Sequence, residues 1–177
     1  MAGQRLIIVC GVPGSGKSTL ARHAVDRWGA VSFASETFAA ELGDAGRDAT
    51  GDLTPHAIGH AYAGMGAAVA AALAAGKLVL AVGSFRAEGH RRRFRDIAKS
   101  AGASVKTVRV VCPVATAAER VRARMVQGER GPNEKSIHHI HGELDRASDV
   151  DAVLVNDTSI ESFLRQADAM IDALSSS

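Results

Sequence analysis

Apolar runs of strand length alternate along the chain with longer stretches whose apolar positions recur at helical spacing. RLIIVC (5–10) is an unbroken apolar, β-rich run, and glycines follow it. KSTLARHAVDRW (17–28) is helical in pattern, AVSFAS (30–35) is a short second strand, and ETFAAEL is a helical turn. GDAGRDATGD (43–52) is a polar, glycine-rich loop. Thr54 can cap a helix that opens on Pro55 and runs to Gly76. KLVLAV (77–82) is a third strand, EGHRRRFRDIAKSAG (88–102) a basic helix, and SVKTVRVV (104–111) a fourth strand. PVATAAERVRARMVQG (113–128) begins the next helix, GERGPNEKS (128–136) is a polar break, and IHHIHGELDRA is a short helix. AVLV (152–155) is a fifth strand, and SIESFLRQADAMIDAL is the closing helix.

Five strands alternating with helices imply crossover connections and a parallel sheet. Strands this uniformly apolar must be covered on both faces. The expected fold class is therefore α/β, a three-layer sandwich around a five-stranded parallel sheet. The pattern fits one domain over residues 1–174 with a tail at 175–177, and it holds no internal repeat or linker.

Composition narrows the partners. Hydrophobic residues at 46% and charged residues at 23% are ordinary for a globular domain. A net charge of +2 gives no global case for nucleic acid or an anionic membrane. The longest uncharged run, Ala61 to Gly76, falls short of the ~20 residues that a bilayer needs, so a packed alanine-rich helix is expected. The N-terminal run lacks the length and cleavage site of a signal peptide, and a cytoplasmic location is expected. Cys10 and Cys112, each at the end of an apolar strand pattern, read as reduced buried thiols rather than a disulfide scaffold or a redox pair.

The sharpest chemistry lies in GVPGSGKS, Gly11, Val12, Pro13, Gly14, Ser15, Gly16, Lys17 and Ser18, which matches G-x-x-x-x-G-K-[ST] between a strand and a helix. Glycines let the backbone turn successive N–H groups toward an anion, and the helix N-terminus adds its dipole. Lys17 can bridge β- and γ-phosphates, Ser18 can offer its hydroxyl to Mg2+, and Thr19 can reach the α-phosphate. ATP is the expected nucleotide, with GTP the alternative.

With this order of parts, the chain resembles the small P-loop kinases. Within them it is similar to the kinase-like AAA group that holds zeta toxins, chloramphenicol phosphotransferase and polynucleotide kinase. The resemblance implies a nucleotide kinase-like P-loop NTPase with strand order 2-3-1-4-5 and a phosphate loop after the central strand. It implies that Glu36, at the end of the second strand, activates the acceptor hydroxyl, where relatives more often carry aspartate. The alternative for Glu36 is an exposed acid in a first helical turn capped by Ser35. It further implies phosphate-neutralising roles for Arg120 and Arg124 and for Arg130 in a lid at about 127–137, where the alternative is a solvated helix face. Arg122 points elsewhere and reads as surface. Asn156, Asp157 and Thr158 would flank the base, or Asp157 or Thr158 would cap the last helix.

The run KLVLAVGSFR ends in Val82 and Gly83, where those relatives often place an aspartate for magnesium. This departure leaves Mg2+ to rest on Ser18, the phosphates, water and nearby Glu36, or else turnover is slow or lost. Ser84 and Arg86 stand in the loop where an acid was expected and are candidate substrate contacts. The arginines of GHRRRFR (89–95) read as the wet face of an amphipathic helix, with Phe94, Ile97 and Ala98 inward. The alternative is a nucleic-acid patch. His138 with His141, and His56 with His60, are at helical spacing but lack the further ligands of a metal site. Asp48 and Asp52 are candidates for covering the acceptor.

The expected function is phosphoryl transfer from ATP to a hydroxyl of a small-molecule acceptor, a sugar-like metabolite, a nucleoside or an antibiotic. The alternatives are a nucleic-acid end kinase and a non-catalytic ATP-binding module.

Overall fold

The computed structural model describes residues 5–128 and 134–175. Strand β1 (Arg5–Cys10) is central because its side chains are apolar on both faces of the pleat. Leu6 and Ile8 point into one core, with Tyr62, Met65, Val69, Phe85 and Phe94. Ile7 and Val9 point into the other, with Leu20, Leu80, Val108, Leu154 and Phe163. The period of two along one strand thus creates two helix-covered faces.

Strand β1 pairs in parallel with β3 (Leu78–Val82) and with β4 (Ser104–Val111). The outer strands are β2 (Val31–Ala34), beside β3, and β5 (Ala152–Val155), beside β4. The order is β2-β3-β1-β4-β5, all parallel, as expected.

Helices α1 (Lys17–Trp28) and α7 (Ile160–Ser175) belong to the Ile7 side. Helices α3 (Pro55–Ala74) and α4 (Glu88–Ser100) cover the Leu6 side. Helix α3 is 20 residues long and apolar enough to cross a membrane. It buries Ala57, Ala61, Tyr62, Met65, Val69 and Leu73 against the domain. Thr54 caps it, its hydroxyl accepting from the Ala57 N–H at 3.2 Å. Helices α5 (Val114–Val126) and α6 (Glu134–Asp145) enclose a third apolar cluster of Val12, Cys112, Ala117, Ala118, Val121 and Ile137 beside the phosphate loop.

Two local expectations are corrected. Short helix α2 (Ser35–Ala40) starts at Ser35, and its N-cap, Ala34, makes no side-chain bond, so Ser35 is not a cap. The basic helix α4 is not uniformly wet: Arg91 is 3% exposed and Arg95 half-buried, because both bond Asp149. Only Arg92 and Arg93 of that cluster are fully exposed.

Candidate functional site

The phosphate loop lies between the C-terminal end of β1 and α1. Gly14 and Gly16 have φ of 81° and 111°, the left-handed region that glycine enters without a Cβ penalty. A Cβ on Gly16 would overlap the Asn156 amide. That amide donates to the Ser15 carbonyl at 2.8 Å, so Asn156 tethers the loop as well as lining the cavity beside it. Lys17 is 8% exposed, and its Nζ donates to the Val12 carbonyl at 2.8 Å. Burial lowers the Lys17 pKa to about 8, opposed by the charge of Glu36.

Two cavities open beside this loop. One, of about 550 Å3, is lined by Gly14, Gly16, Lys17, Ser18, Thr19 and Arg22, by Arg120 and Arg124 of α5, and by Asn156, Thr158 and Ile160. Arg120 also donates to the Gly14 carbonyl at 3.1 Å, fixing the loop from outside. Asp157 is exposed and outside this lining, and the N-terminal cap of α7 is the Ser159 hydroxyl, accepting from Ser162 N–H. Neither Asp157 nor Thr158 caps that helix. Arg130 and the middle of the expected lid, residues 129–133, lie outside the described residues.

The second cavity, of about 560 Å3, lies between α3, the 47–53 loop, the loop after β3, and α6. Its walls include Arg47, Asp48, Asp52, Tyr62, Ser84, Arg86, His90 and Ser136. Pro13, Lys17, Ser35 and Glu36 line both cavities. The phosphate loop and the end of β2 therefore form the wall where the two spaces meet.

A Cβ on Gly83 would stand 2.9 Å from both Ser35 Oγ and Tyr62 Oη, so any side chain at this position would displace those hydroxyls. The next residues are locked. Phe85, fully buried, has φ 44°, an uncommon conformation for a bulky residue. Its N–H donates to Tyr62 Oη at 2.8 Å, and its carbonyl accepts from Arg91 Nη1 at 2.5 Å. Arg91 also donates to the Arg86 carbonyl at 2.9 Å and grips Asp149 with Nε and Nη2. Arg95 adds bonds to the Asp149 side chain and carbonyl. The two guanidiniums hold the Asp149 carboxyl at about 2, well below the usual range. This lock turns Ser84 and Arg86 into the second cavity.

Tyr62, missed in the sequence, is the chain's one tyrosine and sits in an alanine-rich helix; that polar tip in an apolar run was the available signal. His90 stacks on it at 4.0 Å and 13°. Burial and the nearby Arg93 and Arg86 charges lower the His90 pKa and favour its neutral form. Arg22, Ile160 and Arg47 were also missed, since no local pattern marks them.

Four other histidines pair with acids: His23 with Asp168 at 2.7 Å, His60 with Glu41 at 2.9 Å, His141 with Asp145 at 3.0 Å, and His139 with Glu143 at 3.5 Å. No group of three or more His, Cys, Asp or Glu residues able to hold a metal occurs among the described residues. Ser18, exposed in the first cavity, and Glu36, which lines the same cavity, fit a divalent cation that arrives with a nucleotide and keeps several waters. They do not form a carboxylate cage. Burial raises the thiol pKa of both cysteines, Cys10 to about 11, which leaves them protonated and inert.

Known proteins agree with this architecture. A family model described as an AAA domain matches residues 6–147. No curated protein matches. Among solved structures, a gluconokinase from Sinorhizobium meliloti superposes with a TM-score of 0.73 at 20% identity, covering 99% of this chain and 96% of that one. The APS kinase of Mycobacterium tuberculosis, solved with AMPPNP and APS, gives 0.70 at 19% identity over 98% and 99% of the two chains. The tunicamycin resistance protein of Deinococcus radiodurans gives 0.60 at 23% identity over 97% and 95%. At these identities the likeness is one of fold. The chain belongs to the AAA-domain family and has the fold of the kinase-like P-loop proteins.

Proposed function

We propose that this protein is an ATP-dependent kinase that moves the γ-phosphate to a hydroxyl of a small-molecule acceptor. The observation that carries this reading is the shared wall. Lys17, the phosphate-loop cation, and Glu36, the one carboxylate among the described residues that lines both cavities, stand where a nucleotide cavity meets a second cavity of similar size.

In this reading the loop N–H groups and Lys17 hold the phosphates, and Arg120 and Arg124 neutralise charge that develops during transfer. Ser18, with Glu36 lining the same cavity, would hold Mg2+ together with the nucleotide, and the cation would add neutralising charge on the phosphates. The acceptor O–H gives its proton to Glu36 as its oxygen bonds phosphorus. The bond from the γ-phosphorus to the bridging oxygen breaks, and ADP leaves. Thr158 and Ile160 supply the base end of the nucleotide cavity.

The nucleic-acid alternative loses half of its local support, because Arg91 and Arg95 are committed to Asp149 and only Arg92 and Arg93 of that cluster stay exposed. The test is a mass-spectrometric search for phosphorylated products over pooled hydroxyl metabolites, nucleosides and oligonucleotides, with Lys17→Ala as blank. Product from the metabolite pool, reduced about a hundredfold to ten-thousandfold by Glu36→Gln, is the expected outcome. ATP binding with no product in any pool would replace this reading with a regulatory nucleotide-binding module.

A further inference from the structure

Glu36 stands on an element that does not hold itself in place. Helix α2 is six residues long, and its N-cap, Ala34, makes no side-chain bond. A helix this short is not stable alone, so its neighbours must fix where its first turn points. Glu36 is exposed in that turn, on the wall that both cavities share.

The neighbour is α3. His60 reaches Glu41, just past the end of α2, at 2.9 Å, but both groups are exposed and such pairs are weak. Four residues on, Gly64 lies under the Phe38 ring, where a Cβ would stand 2.8 Å from Phe38 Cδ1. Tyr62 meets the other end of α2. Ser35 Oγ and Tyr62 Oη each lie 2.9 Å from the point that a Gly83 Cβ would occupy, so the two hydroxyls meet around Gly83. A hydrogen bond with Ser35 is among those that offset the burial of the Tyr62 phenol.

The same phenol belongs to the loop after β3. Tyr62 is 4% exposed, and its oxygen accepts from Phe85 N–H at 2.8 Å and lies 3.5 Å from Ser84 Oγ. Burial raises its pKa, so the phenol keeps its proton. The Phe85 N–H occupies the oxygen, and the phenol's own proton is left for Ser35 or Ser84. One hydroxyl therefore joins the wall that carries Glu36 to the loop that carries Ser84 and Arg86.

We infer that Tyr62 is the positioning residue for Glu36: its hydroxyl, acting through Ser35, sets where that carboxylate stands relative to Ser84 and the second cavity. The inference rests on the kinase reading for what the carboxylate does, but not for how it is held.

The first readout is amide hydrogen exchange in the full chain with ADP and Mg2+, which needs no acceptor. Tyr62→Phe and Ser35→Ala should each lower the protection of the α2 amides about tenfold, and Ser35→Ala should leave α1 unchanged. The second readout is turnover with the acceptor found in the pools. Tyr62→Phe should lower kcat about tenfold and leave the KM for ATP within about twofold, since the phosphate loop is untouched. In Glu36→Gln the same change should have no further effect, because no carboxylate remains to be placed. Ser35→Ala keeps the Phe85 bond and should follow the same pattern, so the test stands even where Tyr62→Phe does not fold.

Unchanged α2 protection in both variants overturns the inference. So does a Tyr62→Phe loss that repeats in full in Glu36→Gln, which is what a purely structural role would give. Full turnover in both variants, with Glu36→Gln slow, overturns it and leaves the kinase reading intact. Loosened α2 with no product in any pool overturns the kinase reading and leaves the hold on Glu36 standing.

Discussion

The phosphate loop and the loop after β3 both carry backbone at positive φ beside the candidate site, yet they hold it by opposite means. Gly14 and Gly16 reach 81° and 111° because they lack a Cβ. Phe85 reaches 44° because Tyr62, from α3, and Arg91, from α4, grip its N–H and carbonyl. The first device is local and depends on residue type. The second depends on three elements meeting and on a carboxylate, Asp149, from the α6–β5 connection. A loop made of glycine can be moved from fold to fold, whereas a loop held by a lock is particular to one domain. That difference matches the division of labour proposed for them, a common nucleotide on one side and a particular acceptor on the other.

The lock should break most visibly at Arg91. Arg91→Met leaves the Asp149 carboxylate beside Arg95 alone and frees two loop carbonyls, which is expected to cost about 3 kcal/mol. Urea denaturation checks this, with exposed Arg92→Ala as a control expected to change stability by under about 0.5 kcal/mol. If the two variants are alike, Arg91 is not the anchor of the loop.

Gly16→Ala tests the other device. The left-handed backbone costs about 1–2 kcal/mol with a Cβ, and the overlap with Asn156 adds to it. ADP affinity should fall with melting temperature in this variant, whereas Arg91→Met should lose stability with ADP affinity nearly kept. Equal losses of ADP affinity in both would mean that the two loops are one unit.

Tyr62→Phe removes one partner of the buried Phe85 N–H and should destabilise by about 1–2 kcal/mol. Loss of amide protection at Phe85, measured by hydrogen exchange, locates the effect.

The smallest effect is set by pH. With the Lys17 pKa at about 8 in the free protein, its cation is present below that value and lost above it. Nucleotide affinity should therefore fall about tenfold between pH 7 and 9, with about half a proton taken up per ADP bound at pH 8 and close to one at pH 9. Lys17→Ala should flatten this dependence. The stability sign is opposite: the unfolded lysine holds its proton to higher pH, so the cost of burying this cation is relieved as pH rises above 8.

Much of the fold was legible because its signals are local. Continuous apolar runs gave the buried strands, Thr54 and Pro55 marked the start of α3, and the glycines with Lys17 marked the phosphate loop. The misread positions are those whose environment comes from distant sequence. Arg91 looks like any arginine on a basic helix until Asp149, far along the chain, closes on it. Ser35 looks like a cap, but Tyr62 and Gly83 pack beside its hydroxyl instead.

The sequence by itself determined the parallel α/β sandwich and the nucleotide loop, since periodicity and glycine placement act over a few residues. Only the tertiary structure decided that Lys17 and Glu36 stand between two cavities and that the Ser35 and Tyr62 hydroxyls crowd Gly83. It also decided that a strained Phe85 aims Arg86 at the second space. Each of these is set by which side chains meet across the sheet ends, and no short stretch of sequence encodes that meeting.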